Sequence, residues 1–168
     1  MTSSNIHLSG GCQCGAVRYA VHTEPDGAAI CHCRMCQKAF AAPFGFLFSV
    51  PRDKFELTRG KISSFASSAK VERGFCAKCG TPLTVDFTPS ENINIAVVTL
   101  DHPKRLSPSS QVGVESRLPW INDIASLREN TTDEIFADYA DIYREIGATN
   151  HQHPDHDTER WPPPKAAR

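Results

Sequence analysis

The arrangement of seven cysteines constrains this chain more than any other feature of its 168 residues. They fall in three short clusters: Cys12-Gln13-Cys14, Cys31-His32-Cys33-Arg34-Met35-Cys36 and Cys76-Ala77-Lys78-Cys79-Gly80. Cys-x-x-Cys is the spacing at which a tight turn aims two sulfurs at one metal ion. Gly80 suits a turn position that requires positive φ. If Cys12 and Cys14 sit in an extended strand end, their side chains share a face and clamp a metal from one side. Together the two pairs make four thiolates, the saturated tetrahedral set of structural zinc. Such a site would cross-link the start of the domain to its middle. Apparent binding free energies for structural zinc, about 10–16 kcal/mol, match the stability of a whole domain.

Cys31, Cys33 and Cys36 remain. Three thiolates within six residues can surround a metal and leave a tetrahedral position open, as catalytic zinc sites do. Alternatively, a remote side chain such as His22 or His102 closes the set into a second structural site. In an extended segment His32 points away from its neighbouring sulfurs, which suits a supporting role better than ligation. A disulfide framework fits less well, because the count is odd. The opening MTSSNIHLSGG has neither a basic n-region nor an apolar h-region, so a cytoplasmic location is expected, where disulfides are rare. A thioredoxin-type redox reading lacks its βαβ context.

Charge narrows the partners. With 18 basic against 19 acidic residues and a formal net charge of -1, nothing draws the chain toward nucleic acid or an anionic membrane. No run approaches the roughly 18 apolar residues of a spanning helix. No nucleic-acid or membrane partner is therefore expected.

Residues 1–10 read as a polar lead-in, 11–148 as a single mainly β domain, and 149–168 as a polar tail rich in Pro and His. Strand-length runs bounded by turn residues lie at 16–21, 44–50, 55–58, 62–67, 71–75, 83–87, 93–100 and 111–115. The run from Ile93 to Val98 becomes apolar on both faces, as a central strand does. A short helical turn is expected at 34–41, after the Cys31/Cys33 pair. Near the end, Thr131 and Glu134 have capping-box spacing. Ile135, Phe136, Tyr139, Ile142, Tyr143 and Ile146 then recur at helical intervals, with Gly147 as the stop. This predicts one helix over about 131–148, packed on the sheet or serving a homodimer contact. His151, His153 and His156 read as part of a solvated, mobile terminus.

The motifs GGCQCGAVRY, CHCRMCQKAFAAPFGF, RGFCAKCGTPL and VESRLPWI, with the cysteine order CxC, CxCxxC, CxxC, resemble the glutathione-dependent formaldehyde-activating enzyme family. That family also includes centromere protein V. The resemblance covers about residues 10–125 and fails beyond them. It implies a mainly β, Mss4-like fold with two zinc ions: a structural one on Cys12, Cys14, Cys76 and Cys79, and a catalytic one on Cys31, Cys33 and Cys36. It also implies a carbon–sulfur lyase that joins a thiol, glutathione by the family name, to formaldehyde. Glutathione carries two carboxylates, so Arg34, Lys38, Arg73 and Arg117 are candidate anchors, since arginine grips carboxylates bidentately. Phe44 and Phe46 could wall the site, whereas Trp120 reads as core. A non-catalytic zinc-stabilised module and a metal-buffer protein are the competing readings.

Overall fold

The computed structural model describes residues 7–162. The first six residues of the lead-in and residues 163–168 of the tail lie outside them. Ten strands form two sheets. A three-stranded antiparallel sheet has the order β1 (Leu8–Gly11), β2 (Arg18–Val21), β5 (Phe55–Arg59). A seven-stranded sheet runs β10 (Pro108–Val112), β3 (Ala28–Cys31), β4 (Gly45–Pro51), β9 (Asn92–Ala96), β8 (Pro82–Phe87), β7 (Val71–Phe75), β6 (Ser63–Ser68). All its pairings are antiparallel except β10 with β3, which run side by side in parallel. The single clear helix of the β region, α1 (Arg34–Phe40), leaves β3 through Cys33.

The expected central strand is β9, flanked by β4 and β8. Its apolar residues Ile93, Ile95 and Ala96 are all buried, as a strand covered on both faces requires. The core lies between the two sheets. Leu8, Tyr19 and Val21 from the small sheet, with Val17 just before β2, meet Ala28, Phe48, Val50, Leu83 and Ile95 from the large one. Cys12 and Cys76 belong to the same buried cluster. The strand pattern left two elements unread: β1, hidden in the Ser-Gly-Gly run, and the short β3 of Ala28–Cys31.

The expected helix over 131–148 is corrected. Its capping box forms: Glu134 N donates to Thr131 Oγ1 at 3.3 Å, and Thr131 N donates to Glu134 Oε2 at 2.6 Å. The helix then breaks into α2 (Thr132–Ile135), a 3-10 turn at Ala137–Tyr139 and α3 (Ala140–Thr149), which runs past Gly147. In an unbroken helix, residues seven apart are about 10 Å apart along the axis. The break brings the Phe136 and Tyr143 rings into a stack with centroids 3.8 Å apart. Ile135, Tyr139, Ile142 and Ile146 all remain exposed, so this face is not packed on the sheet.

Beneath the small sheet lies a buried ion pair. The Arg18 guanidinium donates Nη1 to Asp101 Oδ1 at 2.8 Å and Nη2 to Asp101 Oδ2 at 2.5 Å, while Ser9 Oγ donates to Oδ2 at 2.6 Å. Both residues are at most 5% exposed. Burial opposes the ionised form of Asp101, but the Arg18 and Ser9 donors outweigh it and hold the carboxyl below its ordinary range. Because the folded-state pKa is depressed, this stabilisation is present above the unfolded value of about 3.9. It is lost as pH falls through the folded value. Asp101→Ala removes the buried partner of Arg18, leaving the guanidinium only the half-exposed Asp157 at 2.7 Å, and should cost about 3–5 kcal/mol. Thermal melting at pH 7 should therefore fall by about 10 °C or more, and an unchanged melting point would refute this account.

Candidate metal centres

Two matched turns build the first centre. In the β1–β2 hairpin, Cys12 N donates to Val17 O at 3.0 Å, and Val17 N points at Cys12 Sγ at 3.3 Å. In the β7–β8 hairpin, Cys76 N donates to Thr81 O at 3.0 Å, and Lys78 N points at Cys76 Sγ at 3.4 Å. Gly80 has φ 78°, the left-handed value expected for it. Cys12 and Cys14 are held in a turn, which corrects the expectation that they lie along an extended strand end. Gly15, at φ 75°, makes that turn possible. The two hairpins meet through Gln13 N, which donates to Thr81 Oγ1 at 3.1 Å.

The four sulfurs of Cys12, Cys14, Cys76 and Cys79 lie within 4.8 Å of one another, with Cys12–Cys14 at 3.6 Å and Cys14–Cys76 at 4.0 Å. Thiolates placed tetrahedrally about 2.3 Å from a zinc ion would be about 3.8 Å apart. The spacing fits a metal, and none of the cysteines is bridged. The thiol chemistry fits as well. Burial pushes Cys12 up to about 12 and also raises Cys14. Burial opposes ionisation of Cys79, but hydrogen bonds led by the Thr81 hydroxyl bring it down to about 6. A bound cation would supply the charge needed to ionise all four thiols together.

The second centre joins the end of β3 to the start of α1. Cys31 closes β3, and Cys33 is the N-cap of α1, its sulfur accepting from Cys36 N at 3.4 Å. Cys36 follows on the first turn. The three sulfurs lie within 4.8 Å of one another, with Cys31–Cys33 at 3.4 Å. Burial drives Cys31 up to about 12. At Cys33 burial is outweighed by hydrogen bonds, led by the Cys36 N–H, so its thiol sits below the ordinary value. Among the described residues no fourth Cys, His, Asp or Glu joins this group. His22 pairs instead with Glu56 at 2.8 Å. His32 is fully buried and bonds Gln111 on β10 at 2.8 Å, turned away from the sulfurs.

Of the four candidate anchors, Arg73 alone hydrogen-bonds the triplet. It projects from β7, buried, with Nη2 3.6 Å from Cys36 Sγ and Nε 3.1 Å from Ser67 Oγ. Arg34 is exposed and donates to Gln37 Oε1 at 2.6 Å. Gln37 in turn holds His32 O and Ser116 O, tying α1 to the VESRLPWI segment. Lys38 is exposed and Arg117 half-buried, and among the described residues neither side chain makes a hydrogen bond to the cluster. Phe44 packs edge-on against His32, and Phe46 joins the core. Trp120 is 48% exposed, which corrects its reading as core.

The tail also departs from expectation. His153 is only 4% exposed, its N–H donating to Gln13 O at 2.6 Å. Its ring fills the space a side chain at Gly15 would need, 2.0 Å from an ideal Cβ. Trp161 Nε1 donates to Cys14 O at 2.6 Å, Lys78 Nζ lies 5.4 Å from the centre of the Trp161 ring, and Arg18 Nε donates to Asp157 at 2.7 Å. Arg59 bonds both Gly15 O and Thr158 O. Residues 153–161 are thus a strap across the Cys12–Cys14 turn. His151 and His156 stay exposed, and the three tail histidines form no metal-ligating group. Hydropathy hid this segment because its attachment is mostly polar, to backbone carbonyls and two arginines, with Trp161 packed against the core.

The family model of the glutathione-dependent formaldehyde-activating enzyme matches residues 7–116. An uncharacterized lyase of Schizosaccharomyces pombe is 31% identical over 83 residues, 49% of this chain and 60% of that protein. The chain thus matches less than two thirds of that relative's length. A crystal structure of a Rhodobacter sphaeroides protein is similar with a TM-score of 0.52 at 20% identity, covering 62% of this chain and 99% of that one. That likeness is one of fold. All seven cysteines lie inside the matched span, whereas the broken helix and the strap lie beyond it.

Thiols raised by burial must lose protons to bind a cation, so metal affinity should rise with pH. Calorimetry in buffers of different ionisation enthalpy, at pH 7, should show at least about two protons released on loading the four-cysteine centre, from Cys12 and Cys14. No proton release would contradict the burial described. Ending the chain at Thr149 removes the strap. It should speed metal loss from the same centre to a chelator by about tenfold, the equivalent of one good hydrogen bond; equal rates would show that the strap does not brace the turn.

Proposed function

Because the chain belongs to the glutathione-dependent formaldehyde-activating enzyme family, we propose that it is a zinc-dependent carbon–sulfur lyase-type enzyme that adds a small thiol to an aldehyde carbon. Glutathione is the first thiol to test. The observation that carries this reading is the difference between the two centres: four sulfurs close one, while three sulfurs form the other with no fourth Cys, His, Asp or Glu among the described residues. The first belongs to the core, and the second stands at a helix N-terminus beside a buried cation. Zinc at Cys31, Cys33 and Cys36 would supply a position at which an incoming thiol is ionised near neutral pH.

The chain's own residues do the rest. Cys33 is held toward its ionised form by the N–H groups at the start of α1. Three thiolates against a divalent ion leave about one net negative charge, which would repel a fourth anion. The Arg73 guanidinium, donating to Cys36 Sγ, offsets that charge from inside the protein, where screening by solvent is weak. Gln37 fixes the pitch of α1 by gripping two carbonyls, so the triplet's geometry is set before substrate arrives. The thiol sulfur then meets the carbonyl carbon as a positioned neighbour rather than a diffusing one.

The test is to titrate zinc-loaded protein with glutathione while following the metal's sulfur neighbours by X-ray absorption. The expected result is a gain of one sulfur together with proton release, and an unchanged coordination shell would sink the proposal. Variants separate the two centres. Cys36→Ser should abolish adduct formation yet melt within a few degrees of wild type, whereas Cys79→Ser should lose cooperative melting altogether. Equal stability loss in both would remove the assigned division of labour.

A further inference from the structure

Between α1 and strands β6 to β8 lies a cavity of about 220 Å³. Its walls are the rings of Phe40, Phe65 and Phe75 with Pro82, and its polar groups are Arg73 and Thr84. It adjoins the three-sulfur centre in two ways. Arg73 lines it and also reaches Cys36 Sγ at 3.6 Å. Phe40 follows Cys36 by one helical turn, and both press on the same spot: an ideal Cβ at Gly45 would lie 3.1 Å from the Phe40 ring and 3.4 Å from Cys36 Cβ.

Formaldehyde has no use for this space. The cavity equals about seven water volumes at about 30 Å³ each, whereas formaldehyde brings about two heavy atoms. Aromatic walls favour an apolar occupant, with the few polar groups fixing its orientation. Arg73 supplies a second observation. Its Nε is taken by Ser67 and its Nη2 by Cys36, but Nη1 is buried and finds no acceptor among the described residues. A buried charged donor left without a partner is costly. Arg73 thus brings to the cavity wall a cation that the protein itself satisfies only in part.

Building on the thiol-activating role proposed above, we infer that the electrophile is an aldehyde bearing an aromatic or branched apolar substituent. The substituent occupies the Phe40–Phe65–Phe75 cavity, and the carbonyl oxygen lies toward the Arg73 guanidinium that lines it. In the addition the thiol sulfur forms a bond to the carbonyl carbon, and the carbonyl π pair moves onto the oxygen facing Arg73. The proton given up by the thiol ends on that oxygen, leaving a hemithioacetal with no change of oxidation state. Arg73 stays protonated throughout and stabilises the charge that develops on oxygen.

The experiment uses the full-length, zinc-loaded chain in two arms. First, 4-fluorobenzyl alcohol, which has the apolar body but no electrophilic carbon, is titrated with the protein and followed by fluorine NMR. Line broadening is expected for wild type and should be lost in Ala39→Leu, which fills the cavity from the helix side. Phe65→Ala, on a half-exposed edge-strand ring, should weaken it should the leucine variant fold poorly. Second, hemithioacetal formation with glutathione is measured by exchange NMR. Wild type should show at least about tenfold higher kcat/KM for benzaldehyde than for formaldehyde. Ala39→Leu or Phe65→Ala should shrink that ratio, and Arg73→Met should slow addition of both aldehydes. Absent broadening in wild type, or broadening indifferent to both cavity variants, overturns the inference. So does turnover of formaldehyde with no preference for benzaldehyde, an outcome that leaves thiol activation standing. Failure of any thiol to bind removes the thiol role, while the alcohol titration still decides what the cavity accepts.

Discussion

The structure depends on the junction of two hairpin turns at four sulfurs. Hydrogen bonds alone would hold the β1–β2 turn to the β7–β8 turn weakly, through one backbone donor onto Thr81. Four thiolates around one cation would replace that contact with a cross-link between residues 12 and 79. The sulfurs stand in or against the buried cluster that also contains Leu8, Tyr19, Leu83 and Ile95. The same junction fixes where β7 lies, and β7 carries Arg73 to Cys36. The four-cysteine junction thereby influences the three-cysteine cluster without touching it.

The sequence made much of this legible because cysteine spacing is a local geometric code. Cys76-x-x-Cys79-Gly80 could be read as a turn with a left-handed glycine from the residues alone, and φ at Gly80 agrees. The grouping of Cys31, Cys33 and Cys36 follows equally from proximity in the chain. Central strand β9 was evident from apolar residues on both faces. What could not be read depends on contacts between distant segments. Nothing near Arg73 in the sequence distinguishes it from Arg34 or Arg117; only the register of β7 against β6 and β8 carries it to Cys36. Phe65 and Phe75 resemble ordinary strand aromatics until α1 is laid beside them.

The C-terminal third shows the limits of periodicity. Thr131, Glu134 and the apolar series to Ile146 satisfy every local rule for one continuous helix, and the cap forms as read. The stack of Phe136 on Tyr143 wins over continuity, because no sheet surface holds the stripe in line. The tail errs in the opposite direction. A composition of His, Pro and Asp suggests solvent, yet His153 and Trp161 are anchored by the carbonyls that the Cys12–Cys14 turn leaves pointing outward. Turns that gather sulfurs inward expose backbone oxygens, and a polar strap is a natural cover for them.

Cys33 serves α1 and the triplet at once, which ties the order of the helix to the state of its sulfur. A seven-residue helix is too short to persist by its own hydrogen bonds. Ala39 and Phe40, the wall it contributes to the aromatic cavity, are therefore shaped only while its first turn is pinned. Metal occupancy of the three-sulfur centre and formation of that wall would thus be thermodynamically linked, each favouring the other by the same free energy. On the reading proposed above, a recognition surface would assemble together with the reactive centre it serves.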